Sequence, residues 1–231
     1  MPVKFKYSKI VVVFDVCSSS QIMEDLLLSE RFDNYELFLG CIKRWLFDQL
    51  ERDVFKAQPF DLYKFTGDGW VLLFPSATDG TLLVSFMRGL CEAVDGELAR
   101  HILPYLNTNP PELGVTIGVD KGSLVKLTMR GQDEYVGRPL NIAFRLQNAV
   151  KEVTPYGNMA LVSKQIFNDY FGSSTYKAEP VNFGLRNINS GRDFSCWRID
   201  FALDNVGQDL PFPRTDGPES KPGQCARSRP R

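Results

Sequence analysis

The run Ile10-Val11-Val12-Val13-Phe14-Asp15-Val16 restricts the fold more than any other stretch of the chain. It is short, apolar and rich in β-branched residues, which predicts a buried central strand over about 9–16. A carboxylate interrupts it one residue before its end. Burying Asp15 there is costly unless the charge is paired or bound to a metal. Taken alone, it reads first as an ordinary strand-end or helix-capping aspartate.

Ser18-Ser19-Ser20 follow and are good N-cap residues for a helix holding Met23, Leu26 and Leu27. A longer helix is predicted over about 34–53, where Tyr35, Phe38, Ile42, Trp45 and Leu46 fall on one face. Two strand-like runs, Leu62 to Phe65 and Trp70 to Phe74, then flank Gly67-Asp68-Gly69. Glycines supply the positive φ of a tight turn, so this reads as a hairpin. Further helices are predicted over about 79–103, 141–153 and 164–170. Strands are predicted over 113–119, 123–129, 159–162, 176–181 and 194–199. The order implies an α+β fold in which helices pack on a mostly antiparallel sheet, with Asp15 and Asp68 on neighbouring strands.

The domain is expected over 1–204. Prolines, glycines and charges dominate 205–231, the composition of a disordered tail. A chain of 231 residues that is 43% apolar can bury a sizeable core. Its net charge of −1 does not suit a broad nucleic-acid surface. No apolar run approaches the ~20 residues that span a bilayer. The five cysteines are scattered, without a CxxC pair, which fits a reducing cytoplasm. The single histidine, His101, stands where a helix is predicted to end, a place that favours a cation.

Three elements bear chemistry. Asp15 and Asp68, on adjacent strand ends, would offer a pair of Mg²⁺ or Mn²⁺ ions the oxygen ligands they prefer. The third is the stretch Glu134 to Leu146. Asn141 and Arg145 are four residues apart on one helix face, where an amide and a guanidinium can hold a sugar oxygen and a phosphate.

Taken together and in order, these motifs resemble the class III adenylate/guanylate cyclases. Phe14 to Ser19 is similar to the first metal-binding motif of that family, and Lys64 to Gly69 to the second. Gly137 to Arg145 resembles the G-x-x-x-N-x-A-x-R helix, and Leu185-Arg186-Asn187 the late Leu-Lys-Gly element. The resemblance implies that Asp15, Asp68 and the Val16 carbonyl hold two divalent metal ions. It further implies that Asn141 orients the ribose, Arg145 stabilises the transition state and Arg186 holds the terminal phosphates. Lys64 and Glu134 fall at the base-reading positions. The family builds its site between two catalytic domains, so a chain with one such domain is expected to act as a homodimer.

A lysine donor and a glutamate acceptor suit adenine, and also uracil. The stretch Phe60 to Trp70 resembles the stand-alone pyrimidine cyclases of bacterial Pycsar antiphage systems. That resemblance implies UTP as substrate, cUMP as product and a separately encoded effector. The alternatives are a cytidylate cyclase, a general bacterial adenylate cyclase, and a silent nucleotide-binding domain. One departure stands out: Thr116 to Gly122 lacks the arginine of the family's Arg-x-Gly-Ile-x-x-Gly strand.

Overall fold

The computed structural model describes residues 6–153, 155–172, 176–185 and 193–201. Its strands are β1 Lys6–Val16, β2 Asp61–Phe65, β3 Gly69–Pro75, β4 Val115–Met129, β5 Gln132–Val136, β6 Met159–Ser163, β7 Ala178–Phe183 and β8 Phe194–Asp200. Its helices are α1 Ser19–Leu28, α2 Phe32–Glu51, α3 Asp53–Lys56, α4 Gly80–His101, α5 Arg138–Val150 and α6 Lys164–Ile166. The strands form one sheet in the order β2-β3-β1-β4-β6-β8-β7, with β5 paired to β4. Every pairing is antiparallel except that of β4 with β6. The α+β layering expected from the sequence is the layering found.

β1 owes its unbroken apolar run to its place in the sheet. β3 flanks it on one side and β4 on the other, so its main-chain groups are paired along both edges. Ile10, Val12 and Phe14 point into a large core shared with α1, α2 and α4. Val11 and Val13 point to the opposite face, where Leu140 and Ala143 of α5 cover them. Both faces are dry, which leaves no position for alternation.

α5 sits against the sheet backbone itself. A Cβ on Gly118 of β4 would lie 2.0 Å from the Ala143 carbonyl oxygen and 2.4 Å from the Gln147 nitrogen, so only glycine fits. Gly69 has a similar role: a Cβ there would lie 1.9 Å from the Phe14 carbonyl oxygen. Of the two glycines around Asp68, only Gly67 has the positive φ expected of a turn, +110°.

Four expectations need correction. The strands read at 113–119 and 123–129 are one strand of 15 residues, because Gly122 continues the ladder opposite Lys9. β5 was missed, although Arg130 and Gly131, with φ of 52° and 77°, make the two-residue turn that leads into it. Ser18 stands at the N-cap of α1 but makes no capping bond; its hydroxyl donates to the Glu112 carbonyl instead. The helix read at 164–170 is α6 followed by a π-helical turn over Phe167–Phe171. His101 does end α4, as expected. The tail at 205–231 lies outside the described residues. Among the described residues, no helix is long and apolar enough to cross a membrane.

The seating of α5 on β4 gives a stability test. Gly118→Ala should cost about 2–4 kcal/mol, since the methyl group meets main chain that cannot swing aside. Gly96→Ala, in α4 with nothing within 4 Å of its Cβ position, should instead be neutral or stabilise by up to about 1 kcal/mol. Urea denaturation of the two variants and the parent measures both.

Candidate active site

The register of the central strands brings the two aspartates together. Asp15 pairs with Gly69 of β3 and with Thr116 of β4, and Asp68 is the residue just before Gly69 in the β2–β3 turn. Their carboxyl groups lie against one another in a half-buried niche beneath α5. Lys151, just past α5, places its Nζ 3.0 Å from Asp15 Oδ2. Gln147 Nε2 donates to Thr116 Oγ1 at 2.7 Å and reaches Asp15 Oδ2 at 3.4 Å. The Ser19 hydroxyl donates to Asp68 Oδ2. Behind the pair, the buried Tyr35 phenol has its acidity suppressed by burial and by both carboxylates.

The electrostatics of this niche favour one proton or one cation. Burial raises the Asp15 carboxyl from its ordinary value of 3.8 to about 6; its hydrogen bond with Asp68 and the repulsion between the two add to this, and Lys151 opposes it. Two carboxylates this close repel one another, and added positive charge relieves that repulsion. Asp25 offers a contrast: two backbone N–H groups, an amide and a hydroxyl of Asn107 and Thr108 saturate it, which is what a structural buried aspartate requires. The Asp15–Asp68 pair has oxygen atoms to spare, and such a donor set suits hard divalent cations. Val16 ends β1 beside it. The neighbouring Cys17 thiol is pushed up to about 12 by burial and stays protonated.

A second set of predicted residues meets elsewhere. Lys64, Glu134 and Asn141 line one cavity of about 510 Å³, floored by Val71, Leu140 and Phe144. Lys64 Nζ stands 3.9 Å from Glu134 Oε2. Tyr63, which the sequence reading passed over, donates its hydroxyl to the same oxygen at 2.5 Å and accepts from the Tyr135 backbone N–H at 2.9 Å. That tyrosine therefore fixes where the Glu134 carboxylate points. Arg145, one turn on from Asn141, keeps a buried guanidinium nitrogen with no hydrogen-bond partner among the described residues. Such a nitrogen carries a standing desolvation cost that an anion would offset.

Both sets lie along α5, with Asn141 near its start and Lys151 just beyond its end, roughly 15 Å apart at 1.5 Å per residue. Among the described residues, no hydrogen bond or ion pair joins the two sets. Arg186 lies outside the described residues. Beyond Tyr63, the sequence reading missed Ser19, Tyr35, Gln147 and Lys151. The spacing of Ala143, Gln147 and Lys151, four residues each, was the available signal for the last two.

No protein-family model and no curated protein matches the chain. Solved structures do. The guanylyl cyclase Cya2 superposes with a TM-score of 0.63 at 16% identity, over 90% of this chain and 97% of its own. The adenylyl cyclase CyaB from P. aeruginosa gives 0.62 at 15%, over 88% and 100%. A structure of adenylate cyclases from Trypanosoma brucei in their monomeric state gives 0.58 at 13%, over 88% and 92%. At these identities the likeness is one of fold: the chain has the fold of adenylyl and guanylyl cyclase catalytic domains.

The raised Asp15 carboxyl predicts a pH dependence. Between about pH 4 and pH 6 the folded chain keeps a proton that the unfolded chain has released, so this group's contribution to stability falls as pH rises through that window. Asp15→Asn removes that contribution. In metal-free buffer the variant should gain about 1–3 kcal/mol on the parent between pH 4 and pH 8. Urea denaturation at the two pH values measures it, and an unchanged difference would mean that Asp15 titrates normally.

Proposed function

We propose that the chain is a nucleotidyl cyclase that converts a nucleoside triphosphate into a 3′,5′-cyclic mononucleotide and pyrophosphate. The observation that carries this reading is the pairing of Asp15 with Asp68, two carboxylates in one half-buried niche where burial and mutual repulsion raise the Asp15 carboxyl and added positive charge is favoured. Two divalent ions, Mn²⁺ or Mg²⁺, would be held by Asp15, Asp68 and the Val16 carbonyl. When bound, they lower the cost of the 3′-alkoxide and offset the charge of the triphosphate.

In the reaction, the ribose 3′-oxygen attacks the α-phosphorus in line. The bond from that phosphorus to the bridging oxygen breaks, pyrophosphate leaves with the electron pair, and the 3′-hydroxyl proton passes to solvent. Asn141 holds the ribose, and Arg145 meets the charge that grows on the phosphorus oxygens. Arg186 binds terminal phosphates. In one chain the aspartate pair and the Asn141–Arg145 face stand apart along α5. A homodimer, in which each chain's aspartates face the partner's nucleotide pocket, supplies both halves twice.

For the base, we favour UTP, giving cUMP. The Lys64 ammonium donates to uracil O4, and Glu134 accepts from N3–H. Guanine would call on both oxygens of one carboxylate for N1–H and the 2-amino group, and Tyr63 already holds one of them. The likeness of Phe60 to Trp70 to the Pycsar pyrimidine cyclases supports the same choice. It also supports a role as the signal-producing enzyme of an antiphage system, acting through a separately encoded effector.

Assays with Mn²⁺ and each of the four nucleoside triphosphates, with products identified by mass, test the reading. cUMP should dominate; a dominant cAMP or cCMP product keeps the mechanism and replaces the base assignment. Asp68→Asn should abolish turnover without loss of fold. Arg145→Ala should lower kcat by about 10²–10³ with KM little changed. Tyr63→Phe should raise KM for the preferred nucleotide about tenfold, with kcat nearly unchanged and weaker discrimination against GTP. No product from any of the four, with metal present, would overturn the enzymatic reading.

A further inference from the structure

α2 and α4 pack together in the helical layer, on the far side of the sheet from α5. At their seam, three side chains with metal-ligand chemistry converge. Cys41 comes from α2. Glu97 and His101 come from α4, four residues apart and so on one face. His101 Nε2 is 3.1 Å from Glu97 Oε2 and 4.0 Å from Cys41 Sγ, and the three atoms all lie within 4.8 Å of one another.

The contacts do not close as an ordinary polar cluster would. Glu97 Oε2 is buried and accepts no hydrogen bond from the described residues, although the imidazole nitrogen stands 3.1 Å away. Ligands of one tetrahedral zinc, at about 2.0–2.3 Å from the ion, lie roughly 3.3–3.7 Å from each other. The two contacts that His101 makes fall either side of that range, and with all three atoms within 4.8 Å of one another, side-chain shifts of up to about 1 Å would close the set around an ion. The other Glu97 oxygen accepts from Arg100 Nη1 at 2.9 Å, which holds the carboxylate in place as an outer hydrogen bond does for a metal ligand. Glu97 and His101 each keep under a fifth of their side-chain surface in contact with solvent, enough for a water to reach a fourth position.

We propose that Cys41, Glu97 and His101 bind one divalent cation of borderline-soft character, zinc, which ties α2 to α4. The thiolate and imidazole select against Mg²⁺ and Mn²⁺, just as the all-oxygen pair Asp15–Asp68 selects for them. The two sites therefore sort the two kinds of ion, and the zinc site does not depend on catalysis.

The test uses the full chain, stripped with a chelator and titrated with Co²⁺ as a spectroscopic probe. One equivalent should produce a thiolate-to-cobalt charge-transfer band, and Zn²⁺ should then displace it. Cys41→Ser should abolish the band, Glu97→Gln should weaken Co²⁺ binding at least tenfold, and Cys17→Ser should leave it intact. Zn²⁺ should raise the thermal midpoint of the parent but not of Cys41→Ser or His101→Gln, with circular dichroism showing that both are folded. A folded parent with no thiolate band would overturn the proposal, as would a band that survives Cys41→Ser or vanishes with Cys17→Ser.

Discussion

Everything at the candidate active site depends on how closely α5 approaches the sheet. Gly118 lets the helix backbone rest on the backbone of β4, with no side chain between them. Because the helix is fixed in height and rotation, its other residues are fixed as well. Gln147 and the Lys151 that follows the helix reach down to Asp15, while Asn141, one turn before Arg145, lines the cavity at the other end. One glycine thus sets the geometry of two groups of residues that never touch.

The charge balance follows from that geometry. The niche around Asp15 is dry enough to raise its carboxyl, and Lys151 lies close enough to offset part of the effect. Lys151 itself is half exposed on a flexible stem, so it is a weak and movable counter-ion. A compact dication between the carboxylates would do the same work with twice the charge. At the other end, Tyr63 takes one oxygen of Glu134, so the carboxylate presents a single acceptor rather than two. A hydroxyl on β2 thus limits the acceptors that this carboxylate offers to the cavity.

Much of this was legible in the sequence, for identifiable reasons. A β-branched run ending in a carboxylate, and a glycine-flanked aspartate between two strand-like runs, are local signals, and the register does place them side by side. The face shared by Asn141 and Arg145 is helical arithmetic, and Asn141 does line the cavity with Lys64 and Glu134. What stayed hidden depends on tertiary approach. Tyr35 and Lys151 are an ordinary core tyrosine and an ordinary surface lysine until the fold carries them to the aspartates. Tyr63 reads as one aromatic in a strand, and only the return of β5 gives its hydroxyl a partner. The division of β4 into two strands erred because Gly122 looks like a break, whereas the structure uses it to continue the ladder.

The placement of β1 also bears on how the molecule comes into being. Asp15 pairs with Thr116, 101 residues away along the chain, and its neighbouring contacts are with Gln147 and Lys151, farther still. Such distant pairings demand the closure of long loops before they return any stabilisation, and topologies of this kind fold slowly. β1 precedes both of its partners along the chain: β3 covers one edge, and the other edge waits for β4, which begins at Val115. An apolar strand edge left open over that stretch of chain is a place where chains can pair wrongly. The niche around the carboxylate pair is complete only once Gln147 and Lys151 are in place, so a fragment that stops before α5 lacks it.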